Sequence, residues 1–289
     1  MTGERRKVLI TGAGSGLGRA LAQRYATEGC AVACADIIPE RALETATTLP
    51  GMDHTAFVVD VGSDSGFNAL YLAVEQHFGM PDVVVNNAGI ASGGPMAETT
   101  MTEWHDVIDI NLLGVVRGCR AFLPAMLARG SGAIVNIASF AGLAGAPWMM
   151  SYGVAKAGVV ALSEQLRAEL HGTGVRVSVA CPSFFQTNLL QGFLGSERVR
   201  EGAERMMARS PDSLDQIADR IFAAAERGQF MILPSRGDGA RWRYKRWFPE
   251  GYFRKLLKAT TTLRRTPPAA IEPAAQEQAP ADAPPKQVE

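Results

Sequence analysis

Seven short runs rich in β-branched and apolar residues, each followed or preceded by a longer amphipathic stretch, constrain this chain more than any other feature. The runs are KVLIT (7–11), AVACAD (31–36), TAFVVD (55–60), DVVVNN (82–87), AIVNIAS (133–139), RVSVAC (176–181) and QFMILP (229–234). Helical patterns fill 17–28, 39–48, 64–78, 102–129, 152–171 and 213–227. Several runs are apolar almost without interruption, as strands are when helices cover both faces of a parallel sheet. The alternation predicts one α/β domain, a doubly wound parallel sheet of about seven strands with helices on both faces. The stretch 184–210 breaks the rhythm and carries an apolar face of Phe184, Phe185, Leu189, Leu190, Phe193 and Leu194.

The first run leads into TGAGSGLG, Thr11–Gly18, which opens the first helical stretch. A glycine fingerprint carries information when it lies between a strand and a helix, as here. Glycines let the backbone turn sharply and approach a pyrophosphate, whose charge then meets the free N–H groups of the helix start. This makes the fold Rossmann-like and places Gly12, Ser15, Gly16, Leu17 and Gly18 on a dinucleotide. The second run ends at Asp36, 24 residues beyond Gly12. A carboxylate there accepts hydrogen bonds from the adenosine ribose hydroxyls and repels a 2′-phosphate. Ile37 and Ser15 bring no compensating charge; Arg19 and Arg41 are the nearest cations that argue otherwise. NAD is therefore expected in preference to NADP.

With TGAGSGLG, NNAG at 86–89, Ser139, and YGVAK at 152–156 in this order, the chain resembles the short-chain dehydrogenase/reductase family over about residues 5–235. The resemblance implies an oxidoreductase interconverting an alcohol and its ketone. It makes Tyr152 the acid/base and Lys156 the residue that lowers its pKa and holds the nicotinamide ribose. It implies that Ser139 hydrogen-bonds the substrate oxygen and that Asn111 holds a water joining Lys156 to solvent. It likewise puts Asp60, with Val61 beside it, at the adenine, and Asn87, Ala88 and Gly89 along the cofactor cleft. Pro182 belongs to the same lining, and Thr187 would reach the carboxamide. A homodimer or homotetramer is the corresponding assembly.

The physical chemistry agrees with those roles. A free tyrosine titrates near ~10, too high for a base at neutral pH. A lysine four residues on lies on the same helix face, and its charge favours the phenolate. Asn111 has a plain alternative in satisfying a buried backbone group, and Asp60 has one as a turn residue. One departure stands out: where the family has Pro-Gly after the sixth strand, this chain has Pro182-Ser183, followed by Phe184. That puts the backbone path beside the nicotinamide in question.

Trp148, Phe184 and Phe185 are expected at the substrate, among further apolar residues near the cleft. No cation is placed there to hold a carboxylate or phosphate. The expected substrate is a hydrophobic secondary alcohol or ketone of steroid, retinoid or lipid type. A different class of function is a catalytically quiet dinucleotide-binding sensor or scaffold; the presence of Ser139, Tyr152, Lys156 and Asn111 argues against it.

Composition bounds the remainder. The four cysteines show no CxxC spacing and the four histidines no metal-ligand spacing, so reduced thiols in a cytoplasmic protein and no metal are expected. Neither a signal-peptide core nor an apolar run of bilayer-spanning length is read from the sequence. Zero net charge hides an asymmetry: residues 1–235 carry 18 basic and 23 acidic side chains, residues 236–265 ten and two, and residues 266–289 one and four. The last segment, rich in Pro and Ala, reads as a disordered tail. The stretch 241–258 interleaves cations with aromatic residues as a basic amphipathic extension. Packing on a subunit or over the active site ranks slightly ahead of contact with the inner face of a membrane. Nucleic acid ranks last, because no recognised module accompanies it.

Overall fold

The computed structural model describes residues 5–261, so the tail expected at 266–289 lies outside the described residues. The strands are β1 (Lys7–Thr11), β2 (Ala31–Asp36), β3 (Thr55–Val58), β4 (Val83–Asn86), β5 (Ser92–Gly93), β6 (Gly132–Ile137), β7 (Val175–Ala180), β8 (Leu194–Gly195) and β9 (Met231–Ile232). The helices are α1 (Gly16–Thr27), α2 (Pro39–Thr48), α3 (Asp64–His77), α4 (Met101–Ile108), α5 (Gly114–Arg129), α6 (Ala141–Ala144), α7 (Met150–Glu169), α8 (Glu197–Ala208), α9 (Leu214–Glu226), α10 (Asp238–Trp247) and α11 (Pro249–Ala259). Seven strands form one parallel sheet in the order β3-β2-β1-β4-β6-β7-β9, and β5 pairs with β8 in a separate two-stranded ribbon.

Strand side chains alternate between two apolar layers, which is why the runs lack polar interruptions. Val8, Ile10, Val83 and Val85 enter the layer with Leu21 and Tyr25 of α1 and Ile217 and Phe222 of α9. Leu9, Val84 and Ile134 enter the opposite layer with Leu70 of α3, Phe122 of α5 and Val159 of α7. From β1 the chain builds outward through β2 to β3, then returns to lay β4 on the other flank of β1. Such a switch point opens a crevice at the carboxyl ends of β1 and β4, where ligands of doubly wound sheets bind. Thr11–Gly12 and Asn86–Asn87 sit at those ends.

Three departures from the sequence reading concern the functional end. The helix expected at 102–129 is interrupted by a π-helical segment, Asp109–Leu113, between α4 and α5. The combined run Met101–Arg129 is, by length and composition, apolar enough to cross a bilayer, contrary to expectation. It nevertheless turns Val107, Val115, Phe122 and Met126 into the core. Third, the irregular stretch 184–210 contains a short 3₁₀ turn (Asn188–Leu190), β8 and α8.

Candidate active site

The glycine turn is shaped by close approach as well as by chain reversal. Gly12 (φ +65°) and Gly16 (φ +48°) adopt left-handed backbone that disfavours side chains. A Cβ on Gly18 would lie 2.0 Å from the Gly12 carbonyl oxygen, and one on Gly12 would lie 2.8 Å from the Ala88 Cα. The NNAG segment is bolted to this turn. Asn87 Nδ2 donates to the Thr11 and Gly12 carbonyls (2.9 and 3.3 Å), while the Asn87 and Ala88 amides donate to Thr11 Oγ1 (3.0 and 3.2 Å). Thr187 reaches the same place: a Cβ on Gly16 would meet its Oγ1 at 2.6 Å. The cleft beside Gly14, Ser15 and Gly16 has a volume of about 510 Å³.

Asp36 is buried at the end of β2, its Oδ2 accepting from the Gly14 amide (2.8 Å) and its Oδ1 from the Ile38 amide (3.0 Å). Each oxygen keeps a second acceptor site for a ribose hydroxyl. Arg19 is held by Glu44 through two hydrogen bonds of 3.0 Å and by the Gly14 carbonyl (2.7 Å). Arg41 lines the same cleft and is exposed. Asp60 is exposed beyond β3, its Oδ1 accepting from the Gly62 amide (2.9 Å), which is the turn role; Val61 beside it is buried. These surroundings fit a dinucleotide: a cradle that any Cβ would fill, a buried carboxylate at the ribose end, and a helix start that no side chain caps.

The catalytic candidates converge from three elements. Tyr152 and Lys156 lie one turn apart on α7, both buried, with Lys156 Nζ 5.9 Å from the centre of the Tyr152 ring. Ser139, just past β6, accepts from the Ala141 amide (3.1 Å) and donates weakly to the Pro182 carbonyl (3.4 Å). Burial pushes the Tyr152 phenol above its ordinary pKa, and the Ser139 hydroxyl pulls it back down. Burial also brings the Lys156 ammonium down to about 8. Lys156 Nζ donates to the Ile137 carbonyl (3.0 Å). The phenol is therefore shifted away from phenolate, the reverse of what the charge of Lys156 alone would bring.

Asn111 occupies the middle of the π-helical segment, fully buried. Its Oδ1 accepts from the Ile90 amide and its Nδ2 donates to the Ile90 carbonyl, both at 2.8 Å. The plain alternative of satisfying a buried backbone group is thus realised. The Asn111 amide and Lys156 flank the same glycine: a Cβ on Gly89 would be 2.7 Å from Asn111 Oδ1 and 3.4 Å from Lys156 Nζ. A π-bulge of this kind is a common device at functional sites.

The apolar surroundings of Tyr152 comprise Val107 and Ala155, with Ile90, Ala141, Met149 and Leu194 packed against them. Trp148 has left-handed backbone (φ +60°), a strained state for a bulky residue, and its carbonyl would be 2.7 Å from a Cβ on Gly93 of β5. Phe184 is half-buried. Phe185, expected at the substrate, is buried and packs in the core layer of Leu17, Ala180 and Ile217. The Pro182-Ser183 departure is also explained. Ser183 has no positive φ, so the turn does not need glycine, and its amide donates to Ser235 Oγ (2.9 Å).

Two supporting clusters escaped the sequence reading. Ser92 and Ser151 hydroxyls lie 2.6 Å apart, and Ser151, next to Tyr152, donates at 3.5 Å to the buried Glu103, whose carboxyl burial raises. Asn86 and Asn136, paired across β4 and β6, are hydrogen-bonded at 2.9 Å, and Asn136 continues to Ser163 (3.0 Å). The only sequence signal for these is a polar residue inside an apolar run, which does not reveal its partner.

Comparison with known proteins places this geometry. Residues 6–197 match the family model described as short chain dehydrogenase. The chain is 35% identical over 232 residues to 2-(R)-hydroxypropyl-CoM dehydrogenase of Xanthobacter autotrophicus, covering 76% of this chain and 92% of that protein. Over 224 residues it is 32% identical to meso-2,3-butanediol dehydrogenase of Serratia marcescens, with 78% and 89% covered. It is also 35% identical to the probable oxidoreductase EphD of Mycobacterium tuberculosis, of whose length it spans 39%. Among solved structures, a short chain dehydrogenase/reductase from Burkholderia phymatum in complex with NAD superposes with a TM-score of 0.79 at 28% identity, covering 93% of this chain and 98% of that one. A short-chain dehydrogenase from Sphingobium yanoikuyae in complex with NADPH does so at 0.73 and 27%, covering 86% and 95%. The chain belongs to the short-chain dehydrogenase family.

Proposed function

We propose that this protein is an NAD-dependent oxidoreductase that interconverts a hydrophobic secondary alcohol and its ketone. The observation that carries the reading is the joint burial of Tyr152, Lys156 and Ser139, with Lys156 Nζ 5.9 Å from the Tyr152 ring and the Ser139 hydroxyl bearing on the phenol. Gly12, Ser15, Gly16, Leu17, Gly18 and Asp36 would hold the dinucleotide, with Asp60 and Val61 toward its adenine and Asn87, Ala88, Gly89, Pro182 and Thr187 along its nicotinamide half. When bound, that cofactor supplies the hydride acceptor or donor. Ser139 Oγ donates to the substrate oxygen and fixes it beside Tyr152. In the oxidising direction Tyr152 Oη takes the proton of the substrate hydroxyl, and in the reducing direction it returns that proton. Lys156 Nζ favours the phenolate form of Tyr152 when charged, offsetting the upward shift that burial imposes. Asn111 holds the Ile90 backbone beside Lys156 and would place a water for proton exit.

Preference for NAD rests on Asp36, and on Glu44 occupying the Arg19 guanidinium that a 2′-phosphate would otherwise meet. The apolar shell of Ile90, Ala141, Met149 and Leu194 around Tyr152 supports a hydrophobic substrate of steroid, retinoid or lipid type. A cytoplasmic homodimer or homotetramer is the corresponding setting. An NADH absorbance assay with a panel of secondary alcohols tests the reading. Turnover that rises with the apolar size of the alcohol, and is faster with NAD than NADP, is expected; turnover of small polyols alone removes the substrate class.

A further inference from the structure

The extension Arg236–Thr261 contributes nothing to the proton-transfer site, yet its surface chemistry differs from that of every other region. Its root is fixed. The Arg236 amide donates to Asp212 Oδ2 (2.8 Å), and its guanidinium pairs with the same carboxylate (3.2 Å). Arg241 pairs with the buried Asp238 (2.6 Å) and lies 5.3 Å over the Phe140 ring, while Lys245 donates to the Leu143 carbonyl. Helix α10 is thereby laid against the turn that follows Ser139.

Past that seat, packing stops. No residue of α11 is buried. Among the described residues every exposed aromatic side chain lies at the elbow of α10 and α11 or on the turns just after it: Trp247 (74% exposed), Phe248 (62%) and Phe253 (51%). Around them stand Arg243, Arg246, Arg254, Lys255 and Lys258, none in an ion pair among the described residues. Glu250 is the one exposed acidic residue between Arg236 and Thr261. Two of these cations lie over half-buried rings, Arg246 over Trp242 (5.7 Å) and Lys255 over Tyr244 (4.4 Å). Cations without a carboxylate partner, interleaved with exposed Trp and Phe, complement a surface that is anionic outside and apolar beneath.

We propose that the elbow of α10 and α11 is a docking surface for anionic lipid. Trp247, Phe248 and Phe253 enter the boundary between headgroups and acyl chains, and the five cations face the lipid phosphates. Because α10 rests on the turn after Ser139, docking brings the bilayer to the flank of the site where an apolar alcohol would arrive. The proposal does not depend on the reaction assigned above, since its readout is binding.

The test is flotation of the full-length protein with vesicles of phosphatidylcholine alone or mixed with phosphatidylserine, at low and high salt. Flotation is expected only with the anionic vesicles, and high salt should diminish it by screening. The variant Trp247→Ala/Phe248→Ala/Phe253→Ala should float about tenfold less, with thermal unfolding unchanged. No flotation at low salt, or equal flotation of the variant, overturns the proposal. Two further outcomes do so as well. A smaller oligomer in the variant, without vesicle binding by the parent, gives the face to a second copy. Retardation of duplex DNA without vesicle binding gives it to nucleic acid.

Discussion

The crevice at the ends of β1 and β4 and the extension beyond Arg236 treat polar groups in opposite ways. In the crevice nearly every polar side chain has an internal partner. Thr11 serves Asn87 and Ala88, Asn111 clamps Ile90 twice, Asp36 takes two backbone amides, and Lys156 reaches Ile137. At the extension the cations of α11 have no carboxylate partner among the described residues, and Trp247, Phe248 and Phe253 face outward. A site that must place a hydride donor and a proton acceptor to within an ångström needs groups fixed in advance. A surface that meets a soft partner needs groups left free. The difference separates residues whose loss damages geometry from residues whose loss damages only binding to something outside.

Substitutions at the two regions break or sharpen that contrast. Lys156→Met should lower turnover about 10²- to 10⁴-fold in steady-state assays, because the phenol then keeps its burial penalty with no ammonium beside it. Its stability should carry a second signature. The folded pKa of Lys156, about 8, lies below the ordinary value of 10.5. The unfolded chain therefore binds more protons between those values, and this group's contribution to stability rises with pH across that window and stays at its lowest below it. Chemical denaturation at a series of pH values should show the parent gaining up to about 3 kcal/mol relative to Lys156→Met across the window. A flat difference would contradict the burial assignment.

Gly18→Ala should weaken NADH binding about ten- to hundredfold in a fluorescence titration, since the new methyl overlaps the Gly12 carbonyl and must displace the turn. Asn87→Ala removes the donor that holds the same turn from β4, and should cost about 1–3 kcal/mol of stability in urea unfolding. Trp247→Ala is the opposite pole: its change in stability should stay within about 0.5 kcal/mol. A large loss there would mean that the elbow is packed in solution and that the contrast between the two regions fails.

The sequence made the sheet legible because burial on both faces leaves an unbroken apolar signal, and β1 and β2 match the runs residue for residue. The glycine turn, Asp36, Ser139 and the Tyr152–Lys156 pair were legible for a related reason: each is fixed to the end of a strand or the start of a helix. What stayed hidden depends on tertiary partners. Asp109–Leu113 has the pattern of ordinary helix, and only the clamp of Asn111 on Ile90 marks its wider turn. Thr100 and Glu103 have the spacing of a helix cap, yet the Glu103 side chain turns inward to Ser151, a residue 48 positions away. The packing of Phe185 in a core layer was not legible either, because an apolar side chain in an irregular stretch suits a core or a pocket wall.

Tyr152→Phe keeps the ring in its buried setting and removes one oxygen. Turnover of an apolar secondary alcohol, followed by NADH absorbance alongside an NADH binding titration, therefore tests the central claim directly. The account predicts a fall of about 10²- to 10⁴-fold in turnover with cofactor affinity unchanged. Turnover equal to that of the parent protein would contradict it.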